Sequence, residues 1–174
     1  MDVAVCCSPW TVAETGVHGY APLAHWVQLS VTPEHPAFQA NWRAELRGTL
    51  AHELHHCRRW QGPGYGTTFL EVLVTEGLAQ HNELEERGGP PPYALAHIDL
   101  PELAARAEPL LDRADFGFEA WFYGSEAKGL PRWAGYALGY ELVREYLSAQ
   151  GGTAAQHVHA PAEAFRAAWA SLTG

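Results

Sequence analysis

The spacing of apolar positions changes near residue 36. Before it, short β-prone runs at 3–7 (VAVCC), 10–14 and 26–31 (WVQLSV) are separated by Gly16, Gly19, Pro22 and Pro33. That punctuation is the kind that joins strands by turns, and it predicts a small, mostly antiparallel sheet of about two to four strands. From Pro36 onward the period is helical. Phe38, Trp42, Leu46, Leu50 and Leu54 recur every four residues and predict a helix over 37–60. The stretch QGPGYG (61–66) ends it. Thr68-x-x-Glu71 has the capping-box pattern and opens a second helix to Arg87, which Gly88, Gly89 and the prolines behind them stop. Asp99-x-x-Glu102 is a similar start for a third helix, disturbed at Pro109. Residues 121–131 predict mostly loop, Pro131 the first turn of a helix through Ala149, and 161–172 a last helix. No internal repeat is present, and the Gly/Pro stretch at 88–92 is the one plausible linker.

These elements predict an α+β fold. A β-rich part (1–35) precedes a mainly helical core, divided into a helix pair at 36–90 and a helical part at 91–174. A chain of 174 residues suits a single domain over 1–174. Hydrophobic residues make up 47% and include seven tryptophans, enough for a sizeable core. The formal net charge of −9 argues against nucleic acid or an anionic membrane as partner. No apolar run reaches the length of roughly 18 residues that a membrane-crossing helix needs, and the first residues lack a basic segment ahead of an apolar stretch. Cys6 and Cys7 are adjacent and Cys57 stands alone. That odd set is no disulfide framework, so a reducing, cytoplasmic location is expected. Cys57 reads as a small buried residue, Cys6 and Cys7 as strand residues, and Trp121, Trp133 and Trp169 as packing aromatics.

The chemistry sits in AHELHH (51–56). On a helix, His52 and His56 (i, i+4) share one face about one turn apart. Two imidazoles so placed can hold one zinc. Glu53 is rotated from that edge but within reach of a water at the metal, where it can act as general base. His55 points away. The alternative is a helix that is merely His-rich, since the chain has ten histidines. A third ligand decides between them, because catalytic zinc needs three protein ligands. The candidate is Glu76. The segment from His56 to Glu76 contains a helix end, a Gly/Pro turn and a new helix start, which returns an antiparallel helix alongside the first. Phe69, Leu70, Val72, Leu73 and Val74 surround Glu76 with apolar side chains, where an unpaired carboxylate is costly to bury and coordination relieves that cost. One zinc per chain is therefore expected.

The set His52-Glu53-x-x-His56 with Glu76 resembles the gluzincin pattern of zinc metallopeptidases, the group containing thermolysin. More narrowly, TLAHELHH, TEGLAQH, WFYG and LPRWAGYALGYELVREYL resemble the predicted zinc-dependent proteases catalogued as domain of unknown function 2268, from about Gly16 to the C-terminal helix. The resemblance implies a zincin-like core and hydrolysis of peptides or unfolded protein. It implies an outer acceptor for a ligand histidine one turn after Glu76, where this chain has Gln80; His81 and Glu83 are nearby, with surface placement expected for both. It implies an oxyanion donor on a later helix, either Tyr136 or Tyr140, with Tyr136 favoured; His157 and His159 are weaker candidates, expected to be exposed. It also implies a substrate-binding edge strand within 15–31, where Gly16 and Gly19 allow close approach and His18 and Tyr20 face the cleft. A glycine-rich hairpin turn is the plainer alternative there. A zinc-binding regulatory or interaction module with little turnover is the competing function. Oligomeric state is not legible.

Overall fold

The computed structural model describes residues 1–95 and 99–173. Three strands open it: β1 (Asp2–Cys7), β2 (Val17–Leu23) and β3 (Trp26–Val31). Their order in the sheet is β1-β3-β2. β2 and β3 form a tight antiparallel hairpin, whereas β1 lies parallel to β3, from Asp2 opposite Trp26 to Cys7 opposite Val31. The sheet is therefore mixed, not mostly antiparallel: the hairpin occupies one edge of β3, and β1 takes the other. Residues 10–14 form no strand. The N–H groups of Thr15 and Gly16 both donate to the Val12 carbonyl, at 3.1 and 2.8 Å. Gly16, at φ +72°, closes that turn in a left-handed conformation that suits glycine.

α1 (Pro36–Arg59) lies on the sheet. Its Leu46, Leu50 and Leu54 pack against Ala21, Val27, Leu29 and Cys57, so this part of the four-residue stripe is the docking face. Trp42 is left 44% exposed. α2 (Phe69–Arg87) begins with the complete capping box: the Thr68 side chain accepts from the Glu71 N–H, and the Glu71 side chain accepts from the Thr68 N–H. Gly88 ends it in the left-handed conformation. α3 (Leu100–Ala107) runs into a 3-10 turn at Glu108–Leu110, where Pro109 lies.

α4 (Phe118–Tyr123) occupies part of the stretch expected to be loop. Its Trp121 and Phe122 pack on Phe69, with ring centroids 4.9 and 6.5 Å away, and that burial pulls a short sequence into a helix. α5 (Ala134–Gln150) starts later than Pro131 because Trp133 holds φ +70°. A 3-10 turn (Ala162–Phe165) leads into α6 (Arg166–Thr173).

α2 packs against both α1 and α5. Gly77 and Gly139 set the approach of α2 and α5: a Cβ on Gly77 would lie 2.1 Å from the Gly139 carbonyl oxygen. Among the described residues, no helix is long and apolar enough to cross a membrane.

Candidate metal centre

The helical spacing of α1 puts His52 and His56 on the face turned to α2, with ring centroids 4.7 Å apart. α2 brings Glu76 to them. His52 Nε2 is 3.2 Å from Glu76 Oε2 and His56 Nε2 is 3.6 Å from Glu76 Oε1. One ligand atom from each residue falls within 4.8 Å of the others, and all three residues are buried. Two ligands at the usual zinc distances of about 2.0–2.1 Å, in tetrahedral geometry, lie roughly 3.4 Å apart. The donor set therefore fits zinc in both chemistry and separation.

Electrostatics suit the same ion. Burial opposes a charge on Glu76, but His56, and then the hydrogen bond and charge of His52, outweigh it and hold the carboxyl at about 2. Burial pushes the pKa of His56 down to about 3. His52 is driven upward despite its burial, because it donates to both Glu76 and Glu83. A metal taking the His52 Nε2 position displaces that extra proton.

Glu53 is 6% exposed and has neither a hydrogen bond nor an ion pair among the described residues. Burial, reinforced by Glu76 and Glu83 against the opposing His52, raises its pKa to about 7. β2 presses directly on it: a Cβ at Gly19 would lie 2.3 Å from Glu53 Oε1. His55 is turned away, as expected. Its Nε2 donates to the Ala154 carbonyl at 3.3 Å, and burial lowers its pKa to about 4.

The acceptor behind His52 is Glu83, not Gln80. His52 Nδ1 donates to Glu83 Oε2 at 3.1 Å. Glu83 is 1% exposed and also accepts from Tyr93 and Arg87. Gln80 is fully buried, yet neither of its amide atoms finds a partner among the described residues. His81 is buried too, donating from Nε2 to the Tyr140 carbonyl at 2.9 Å. The expected surface placement of Glu83 and His81 fails because α2 is enclosed by α1 on one side and α5 on the other. The stretch at 88–92 is more than a linker: it delivers Tyr93, in a 3-10 turn, to Glu83.

A cleft of about 460 Å³ opens over the triad. β2 supplies one wall through His18, Gly19 and Tyr20, and Tyr136 and Tyr123 face it. β2 is the outer strand of the sheet on this side. Tyr136 is held well above the usual phenol range by burial and then by the Glu76 charge. Tyr140 does not line the cleft; its ring stacks on His81 at 4.3 Å, one turn along α5. Trp133 packs on the rings of Tyr93, Tyr123 and Tyr136. It is half-buried at the mouth of a smaller neighbouring cavity, with Arg132 stacked on its ring at 4.0 Å. His157 contacts Tyr146, and His159 donates to the Arg58 carbonyl; neither lines the cleft. Cys57 is buried, whereas Cys6 and Cys7 are exposed on β1.

Tyr65 escaped the sequence reading. It stands in the loop between α1 and α2, donates its O–H to Glu76 Oε1 and lies 5.4 Å from the His56 ring. The only signal for it was an aromatic residue in an otherwise small-residue turn.

Compared with known proteins, residues 5–167 match the family model described as "Predicted Zn-dependent protease (DUF2268)". No curated protein and no solved structure matches the chain.

Proposed function

The chain belongs to the family of predicted Zn-dependent proteases, and on that premise we propose that it is a zinc metallopeptidase. In this reading one zinc is held by His52, His56 and Glu76, and the substrate is a peptide or unfolded protein. The observation that carries it is the three buried donors within 4.8 Å of one another, beside a further buried carboxylate, Glu53, that forms no ion pair among the described residues. A purely structural zinc site closes with a fourth protein ligand and has no use for a free base. Among the described residues no fourth His, Cys or carboxylate joins the group.

Zinc, when bound, supplies Lewis acidity and lowers the pKa of water. Glu53 takes the proton of the attacking water at its carboxylate and returns it to the departing amine. Tyr136, which lines the cleft together with Glu53, donates its O–H to the oxygen on which negative charge develops. The free edge of β2 pairs with substrate backbone by strand addition. The cleft walls carry Tyr20, Trp60, Tyr65, Phe118 and Tyr123, a lining that fits a large apolar substrate side chain.

The test joins metal analysis to cleavage of a peptide library. Protein purified without chelator should hold one zinc per chain, and Glu53→Gln should keep the zinc and the fold while cleavage falls at least about 10²-fold. Zinc absent even after soaking overturns the reading. Full cleavage by the Glu53→Gln protein overturns the role of Glu53.

A further inference from the structure

Arg59 is a buried charge that the chemistry above leaves unused. It is 1% exposed, and among the described residues no carboxylate comes within ion-pair distance of it. Its guanidinium is satisfied instead by neutral oxygens. Nε donates to Thr75 Oγ1 at 2.8 Å, and Nη1 donates to the carbonyls of Val158 and Ala160 at 2.8 and 3.1 Å. A buried cation on neutral acceptors is costly to maintain, so what it holds in place is informative.

The chain of contacts leads to the metal ligand. Thr75 Oγ1 donates onward to the Tyr65 carbonyl at 2.8 Å. The Tyr65 phenol donates to Glu76 Oε1, which also lies 3.6 Å from His56 Nε2, while Glu76 Oε2 faces His52 Nε2 at 3.2 Å. The far side of the loop is pinned as well. Thr67 and Thr68 donate their N–H groups to Glu71 Oε2 at 2.8 and 2.9 Å, and a Cβ at Gly66 would lie 2.4 Å from the Glu71 Cβ. The Tyr65 ring also stacks on Trp60, with centroids 6.4 Å apart.

We propose that Tyr65 is a positioning residue for the metal ligand Glu76, and that Arg59 and Thr75 fix the loop that presents it. Glu76 is 3% exposed, so water is a poor substitute for the phenol at Oε1. With Tyr65 in place, Oε1 carries a hydrogen bond and the carboxylate is held in one orientation beside the two histidines. Without it, the carboxylate is free to rotate about its last bond, and the ligand is no longer preorganised.

This inference rests on the zinc reading of the site, and the experiment separates the two. Zinc affinity is measured on the full chain by competition with a chromophoric chelator, for wild type, His52→Ala, Tyr65→Phe, Thr75→Val and Thr75→Ser. The visible spectrum of the cobalt-substituted proteins is the second readout. Tyr65→Phe keeps the ring and its stacking, and it should weaken zinc by about 10–100-fold, the range for loss of an outer partner of a ligand. Its cobalt spectrum should shift while the melting temperature of the metal-free protein stays close to wild type. Thr75→Val should weaken zinc in the same direction, and Thr75→Ser, which keeps the hydroxyl, should bind as wild type does. If His52→Ala loses zinc while Tyr65→Phe matches wild type in affinity and cobalt spectrum, the role of Tyr65 is refuted and the zinc site stands. If wild type itself binds no zinc, both readings fall. If Thr75→Val and Thr75→Ser bind zinc alike, the relay from Arg59 is refuted.

Discussion

Replacing Gly19 by alanine tests whether β2 sets Glu53, the carboxylate proposed as general base. The new Cβ would lie 2.3 Å from Glu53 Oε1, 2.5 Å from its Cγ and 2.7 Å from its Cδ. Carbon atoms at rest sit about 3.5–4.0 Å apart, so something must move by about 1 Å. β2 is poorly placed to retreat. Gly19 pairs with Leu29 of β3, and Leu29 is packed against α1 in the core beneath the sheet. Glu53 is a flexible side chain with no hydrogen bond to hold it, so it is the element that swings aside. Because the contact begins at Cγ, the whole carboxylate is displaced. Overpacking of this kind typically costs about 1–3 kcal/mol, and a chain of this size loses roughly 2–4 °C in Tm per kcal/mol. A misplacement of about 1 Å at a catalytic group is worth about 10²-fold in rate. Gly19→Ala should therefore keep its zinc, melt only a few degrees lower and lose most of its kcat/KM on a peptide that wild type cleaves. Unchanged kcat/KM would refute the claim that β2 positions Glu53. Loss of zinc would show that the clash is relieved through His52 instead.

Glu83→Gln removes the charged acceptor behind His52 and should weaken zinc by about 10–100-fold in chelator competition; wild-type affinity would mean that the His52–Glu83 bond does not orient the ligand. Tyr136→Phe should lower kcat by about 10²–10³-fold with zinc content unchanged, whereas Tyr140→Phe should leave kcat intact, because Tyr140 stacks on His81 outside the cleft; the opposite order would place the donor at Tyr140. Gly77→Ala should destabilise the fold more than Gly19→Ala does, since its Cβ meets the backbone carbonyl of Gly139 at 2.1 Å, a clash that no side-chain movement relieves; equal urea midpoints for the two variants would contradict that.

The family resemblance and the bounds of α1 and α2 were legible in local spacing. The i, i+4 histidines share a face in any helix, and the capping box at Thr68 and the stop at Gly88 are rules about residues a few positions apart. The length between His56 and Glu76 was enough to bring an antiparallel partner back to them. Tertiary structure decided what lies further apart in the chain. Glu83 read as a surface residue because nothing near it in sequence reveals that α1 and α5 enclose α2 and that Tyr93 will close over it. The parallel placement of β1 depends on which edge of β3 the hairpin leaves free. Tyr136 and Tyr140 sit on neighbouring turns of one helix and are equivalent in sequence, yet His81 takes one and the cleft takes the other. Tyr65 lies in a loop, where no period marks a face, and contacts with Trp60 and Thr75 accompany the reach of its phenol to Glu76. Spacing along a helix fixes which side chains stand together, but what stands opposite them is fixed by the packing of distant segments.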